Sequence, residues 1–223
     1  MPVYGCAPCL EELWFRTTSM LDRDTIPFEI VFVDDASLDD AATILAILAN
    51  RDSRVKVVSL DRNQGQLAAI AIGLSHATGQ WVAIMDGDLQ DPPEALSRFL
   101  VVARQGKDIV VGRPRSPQQR LWRRVASRIF LLLVRLRHGS RLVRTHGVFS
   151  VLSRRAVIGY LRRDERSLAY LPVIEVLGFP IVSVDYDRAP RATGVSSYSL
   201  GRLSRRAWRL LKARPIRRAT DVS

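Results

Sequence analysis

The feature that most limits what this chain can fold into is the regular alternation of short apolar runs with longer amphipathic ones through its first half. Residues 28–35 (FEIVFVDD) read as a buried strand, rich in β-branched and aromatic side chains. Further strands are predicted over 2–4, 55–60, 81–85 and 108–112. Helices are predicted over 10–21, from an N-cap at Ser37 to Leu48, over 65–77 and over 92–105. Asp39 and Asp40 suit a first turn, Gly65 opens a helix, Gly79 and Gly106 stop helices, and Pro92-Pro93 starts one. Strands joined by helices of this length are βαβ units, so the fold class is α/β, a mostly parallel sheet flanked by helices. Such sheets bind ligands at the carboxyl ends of their strands. Two acidic pairs fall there, Asp34/Asp35 and Asp86/Asp88.

The second half has another character. Residues 120–137 (RLWRRVASRIFLLLVRLR) place Leu121, Val125, Ile129, Leu132, Leu133 and Leu136 on one helical face, with arginines mostly on the other. Strands are predicted over 147–153 and 180–186, a loop over 194–198 (GVSSY), and a second basic amphipathic helix over 200–214. The organisation expected is one domain over 1–199, including an interfacial helix at 120–137, and a basic amphipathic tail over 200–223.

Charge follows the same division. Residues 1–100 hold 7 Lys+Arg against 15 Asp+Glu, and residues 101–223 hold 27 against 7, within an overall +12. No acidic residue lies between Asp108 and Asp164. A block this one-sided points to an anionic partner: nucleic acid, anionic lipid or a phosphorylated substrate. With Trp122 and Trp208 near the polar–apolar boundaries, the basic helices suit the interface of an anionic membrane, although packing on the protein's own core is the plainer account of their leucines. No apolar run approaches the roughly 18–20 residues of a spanning helix, and the N-terminus lacks a signal-peptide pattern. A cytoplasmic protein, peripheral to the inner face of the membrane and without a transmembrane helix, is expected. Cys6 and Cys9, in Cys-Ala-Pro-Cys, either fill a loop or form a redox pair at a helix start; a zinc site lacks further ligands at suitable spacing.

The chemistry centres on Asp86-Gly87-Asp88, at the end of a strand in WVAIMDGDLQD. Two carboxylates flanking a glycine can share a hard divalent cation, and their repulsion is tolerable only where a cation or donors offset it.

The segments PVYG (2–5), VFVDDAS (31–37), DRNQGQLAA (61–69), MDGDLQDPPE (85–94), VVGRP (110–114), GVFSVLSRR (147–155) and RATGVSSYSL (191–200) together resemble family 2 glycosyltransferases of the GT-A fold. They are most similar to the polyprenyl-phosphate mannosyl- and glucosyltransferase branch. The resemblance implies a nucleotide diphosphate sugar donor and Mg²⁺ or Mn²⁺. Pro2 and Tyr4 would line the base pocket, Asp34 would bond the base, Asp35 would order its loop, and Arg62 and Gly65 would lie beside the nucleotide. Asp86 would sit near ribose and metal, Asp88 would be the main metal ligand, Gln90 would assist, and Arg113 would face the phosphates. Arg191, Ser196, Ser197 and Tyr198 match the segment that closes over donor or acceptor phosphate. Two departures stand out. Many lipid-phosphate members carry an arginine where this chain has Ser150, with Arg144 or Arg154 as substitutes. The resemblance also places residue 1 inside the first strand, so that either the start is misplaced or part of a central strand is missing.

The function expected is inverting, metal-dependent transfer to a membrane-associated acceptor, a polyprenyl phosphate. A phosphate acceptor is already an anion and needs no general base, and the second half offers no base-bearing cluster; Asp164-Glu165 reads as a helix-end pair. Transfer to a hydroxyl of a glycan or glycolipid in cell-envelope synthesis is the alternative. An arginine-rich nucleic-acid-binding protein would explain the charge but not the acidic strand ends, and no nucleic-acid motif is present. A catalytically dead scaffold is the remaining reading. The oligomeric state is not legible.

Overall fold

The computed structural model describes residues 1–115, 147–163 and 170–189. Their order is β1 (Pro2–Val3), α1 (Ala7–Arg23), β2 (Ile30–Asp34), α2 (Ala41–Arg51), β3 (Val55–Ser59), α3 (Gln66–His76) and β4 (Trp81–Ile84). There follow α4 (Ala95–Arg104), β5 (Ile109–Arg115), β6 (Ser150–Ser153), α5 (Arg154–Leu161), α6 (Tyr170–Val176) and β7 (Ile181–Asp187). The predicted helices at 120–137 and 200–214, the loop at 194–198, the domain limit at 199, and Arg144, Asp164 and Glu165 lie outside the described residues.

The strands form two sheets. One has the order β1-β2-β3 and is parallel throughout. The other has the order β4-β6-β5-β7; β5 and β7 run parallel, whereas β6 runs antiparallel to both of its neighbours. The two end strands, β1 and β4, border a cavity of about 390 Å³ lined by Met1, Pro2, Ile30, Val31 and the whole of β4. Glu29, just ahead of β2, spans towards β4: one carboxylate oxygen accepts the Thr78 N–H, the Thr78 hydroxyl and the Gly79 N–H, and the other meets Lys56 at 2.6 Å.

Each helix buries one face. On α1, Leu10, Leu13, Met20 and Leu21 enter the core, and the buried Thr17 and Thr18 hydroxyls return to carbonyls one turn back, at Leu13 and Trp14. On α3 a glycine brings the helix close to β2: a Cβ at Gly73 would stand 3.2 Å from Val33 Cγ2. Phe99 of α4, Phe149 and Tyr186 of β7 form an aromatic trio with centroids 4.7–6.2 Å apart.

Ser37 does not cap α2. Its N–H donates to Asp34 Oδ1 and its hydroxyl accepts the Gly5 N–H, so it is spent inside the loop. The helix starts at Ala41, whose N–H is taken by Asp39 Oδ1, while Asp39 Oδ2 takes the Ala7 N–H at the start of α1. Two helices, α5 and α6, were not anticipated. Ser153 caps α5 by accepting the Ala156 N–H.

Candidate active site

Two loops at strand ends build the site. At the end of β2, Asp34 and the following Asp35 are both buried. Asp35 orders the next loop, its two oxygens accepting the N–H groups of Gln64 at 2.6 Å and Gly65 at 2.8 Å. Asn63 Nδ2 bonds the Asp35 carbonyl, so the 61–65 loop is fastened to the end of β2. Ala36, next in the chain to Asp35, sits at φ 56°, a left-handed conformation. Gly65, at φ 90°, caps α3 as expected.

After β4, the chain turns through Asp86, Gly87 and Asp88, with Leu89 at φ 58°. Gly87 is closely packed: a Cβ there would lie 3.0 Å from Cys6 Sγ and 3.3 Å from the Pro2 carbonyl oxygen, so the neighbours would have to give way. The acid turn is thereby packed against the end of β1. Asp86 is half-buried and accepts Gln66 Nε2 at 2.7 Å. Burial, then the charges of Asp91 and Asp88, push its carboxyl up to about 6, against the opposing pull of Gln66 and Arg188. Asp88 Oδ1 accepts the Gln90 N–H at 3.2 Å. Asp91, almost fully buried, accepts the Tyr186 hydroxyl at 2.6 Å and lies 3.2 Å from Arg188 Nε.

The other anticipated residues fall as follows. Pro2 lies in β1 beside the acid turn, Tyr4 is exposed just beyond it, and Arg62 is exposed on the loop that Asp35 holds. Gln90 is half-buried, and its carbonyl accepts the Ala189 N–H. Arg113 pairs with Asp185 across β5 and β7. Arg191, Ser196, Ser197 and Tyr198 lie outside the described residues. Arg154 is not available as a substitute phosphate ligand, because its guanidinium is bonded to the carbonyls of Ala77 and Gly79. Ser150 is fully buried and bonded to Tyr170 Oη at 2.6 Å and to the Val148 carbonyl. Gln66, Asp91, Tyr186 and Arg188 join the site without having been singled out. Asp91 and Gln66 lay within quoted segments, WVAIMDGDLQD and DRNQGQLAA, whereas nothing in the sequence marked Tyr186 or Arg188.

The cysteines do not form a reactive pair. Cys6 is the N-cap residue of α1 and Cys9 is buried in its first turn, with no disulfide between them. Burial first, helped by neighbouring acidic groups, pushes the Cys6 thiol up to about 12, away from thiolate chemistry.

Among the described residues, no cluster of three or more His, Cys, Asp or Glu side chains stands ready to hold a metal, and no helix is long and apolar enough to cross a membrane. The donor set at 86–88 nevertheless suits a hard cation that takes one or two carboxylates and completes its shell with phosphate oxygens and water.

The sheet order and acidic strand ends define a GT-A-type fold. The fold is shared with mannosyl-3-phosphoglycerate synthase from Rubrobacter xylanophilus, at a TM-score of 0.63 and 19% identity over 95% of this chain and 70% of that one. It is shared too with a mannosyltransferase from Pyrobaculum calidifontis in complex with GDP-Man and Mn²⁺, at a TM-score of 0.61 and 21% identity over 92% and 59% of the two chains. The pattern of glycosyl transferase family 2 matches residues 1–160, and the chain belongs to that family. A curated relative, the undecaprenyl-phosphate 4-deoxy-4-formamido-L-arabinose transferase of Sodalis glossinidius (strain morsitans), is 34% identical over 206 residues. That match covers 91% of this chain and 63% of the relative, so the chain spans somewhat less than two thirds of it.

Proposed function

We propose that this protein transfers a sugar from a nucleotide diphosphate donor to a polyprenyl phosphate at the inner face of a membrane, inverting the anomeric centre. The observation that carries the reading is the meeting of three strand ends. The parallel pairing of Val3 with Asp34 sets Pro2, Tyr4 and Asp34 along neighbouring strand ends, and the close approach of Gly87 to the Pro2 carbonyl brings the Asp86–Asp88 pair beside them. The family and the name of the Sodalis relative support sugar transfer to a lipid phosphate.

Asp86 and Asp88, with Gln90 alongside, would hold Mg²⁺ or Mn²⁺, as the Mn²⁺ in the Pyrobaculum complex suggests. When bound, such a cation neutralises the donor diphosphate and stabilises the leaving nucleotide. The chain's own part is to bind and orient. Gln66 fixes the Asp86 carboxylate, Gly87 keeps the turn against β1, and Asp35 holds the loop carrying Arg62. An acceptor phosphate attacks as an anion, so no base is needed. This agrees with Asp91, the third acid of the loop, being committed to Tyr186 and Arg188.

A glycan or glycolipid hydroxyl is the second reading. It is favoured by buried Ser150, which leaves no cation where many lipid-phosphate relatives carry an arginine. Calorimetry with UDP- and GDP-sugars tests the donor site: binding is expected with Mn²⁺ and lost with EDTA or in Asp88→Asn. Equal binding with and without metal would refute the site as drawn.

A further inference from the structure

The acid loop is held from the far end of the molecule's second sheet. Just past β7, the Ala189 N–H donates to the Gln90 carbonyl at 2.9 Å, and within β7 the Tyr186 hydroxyl donates to Asp91 Oδ1 at 2.6 Å. Arg188, between them, behaves differently. Its Nε lies 3.2 Å from the same Asp91 oxygen yet is buried and makes no hydrogen bond. Tyr186 already uses that oxygen, and the Arg188 N–H is not aimed at it. The positive charge nevertheless acts on the acid cluster, most strongly on Asp91 and less on Asp86 and then Asp88. Arg188 thus supplies charge to the cluster while this donor of its planar fork stays unused. With its buried Nε–H unspent, the guanidinium has a donor to offer a better-placed acceptor, and paired phosphate oxygens are the acceptor that its fork matches.

We propose that Arg188 is a further donor-binding residue: it is the resident counter-charge of the Asp86–Asp88–Asp91 cluster in the free protein, and it passes to the diphosphate oxygens when a nucleotide diphosphate sugar binds. The proposal rests on the nucleotide-sugar reading and gives it a second anchor beside the metal. It makes two demands of opposite sign. Without the guanidinium, three carboxylates are less neutralised and attract a divalent cation more strongly. The diphosphate, in contrast, loses a charge-assisted partner and binds less well. A residue that merely kept the loop in shape would weaken both when removed.

The test is calorimetry on the full chain with Mn²⁺ alone, then with UDP and GDP in the presence of Mn²⁺. Arg188→Gln is expected to bind Mn²⁺ about threefold or more tighter and the nucleoside diphosphate about tenfold weaker. Arg188→Lys, which keeps the charge but not the fork, is expected to match wild type for Mn²⁺ while still losing nucleotide affinity; it also decides the matter if the glutamine variant does not fold. Unchanged or weaker Mn²⁺ binding in Arg188→Gln, or unchanged nucleotide binding in both variants, overturns the assignment of Arg188 alone. A wild-type chain that takes up Mn²⁺ but neither nucleoside diphosphate overturns the donor reading, and the hand-over falls with it.

Discussion

Gly87 separates the two acids of the turn, and its lack of a side chain is what lets that turn touch β1. An added methyl would press on the Pro2 carbonyl, which is backbone and cannot swing aside. Gly87→Ala is therefore expected to cost about 1–3 kcal/mol of stability and to abolish metal-dependent donor binding even where the protein still folds. Urea melts alongside donor titrations would check this, and donor affinity like that of wild type would contradict it. Gly112 plays the same part beneath Tyr186: a Cβ there would lie 2.8 Å from Tyr186 Cε1 and 3.1 Å from the Phe149 carbonyl oxygen. Gly112→Ala should cost a similar ~1–3 kcal/mol and should loosen the Tyr186–Asp91 bond, read as lowered thermal stability together with weakened Mn²⁺ binding. At this scale the sequence revealed acids that stand next to their strands. Asp34, Asp35, Asp86 and Asp88 are marked by the apolar runs before them, and the Asp35 loop contacts match what the resemblance implied. Tyr186 and Arg188 are not marked, because nothing local ties β7 to a loop about a hundred residues earlier. Ser37 misled because a serine ahead of an apolar run looks alike whether it caps a helix or closes a loop.

Between elements, Glu29 is the tie whose energetics can be followed with pH. Burial works against its charge, but Lys56 and the Thr78 donors outweigh burial and bring the carboxyl down from 4.5 to about 2. A depressed folded-state pKa contributes stability that is fully present above the unfolded value and is lost as pH falls through the folded one. Glu29→Gln should accordingly lower stability at pH 7, by on the order of 2 kcal/mol, with the gap from wild type narrowing steadily below pH 4.5. Denaturant midpoints at pH 7 and pH 3.5 would show it, and a gap of equal size at both would refute the assignment. The strands were legible because β-branched runs ending in acids or small residues have few other readings. The short helices were not. In α5 the sequence RRAVIGYL contains Gly159, which is there for packing, since a Cβ would come 3.2 Å from Phe179 Cε2. In α6, YLPVIEV carries Pro172 and β-branched residues. Both depend on tertiary contacts that propensity does not record. The antiparallel β6 is a matter of topology and was equally beyond a local reading.

Across the whole molecule, charge and fold divide together. The acidic first 100 residues build most of the strand ends where the donor would bind, and the basic remainder carries 27 Lys+Arg against 7 Asp+Glu. The fold class was legible at this scale because βαβ alternation leaves few alternatives, whereas the cavity between β1 and β4 is a property of two sheet edges that no segment displays alone. A basic half of this kind should bind anionic vesicles, each residue near the surface contributing about 1 kcal/mol, and should release them as salt screens the attraction. Cosedimentation with phosphatidylglycerol vesicles but not with phosphatidylcholine vesicles, reversed at high salt, is the expected result; equal binding to both would remove the electrostatic account. The most direct test of the central claim is transfer itself. Liposomes containing polyprenyl phosphate would be incubated with the full chain, labelled nucleotide sugars and Mn²⁺ or Mg²⁺, beside Asp88→Asn and EDTA controls. Label entering the lipid fraction, and absent from both controls, is the result this account predicts; label that stays in the aqueous phase with every donor, or that enters the lipid equally in the Asp88→Asn variant, would contradict it.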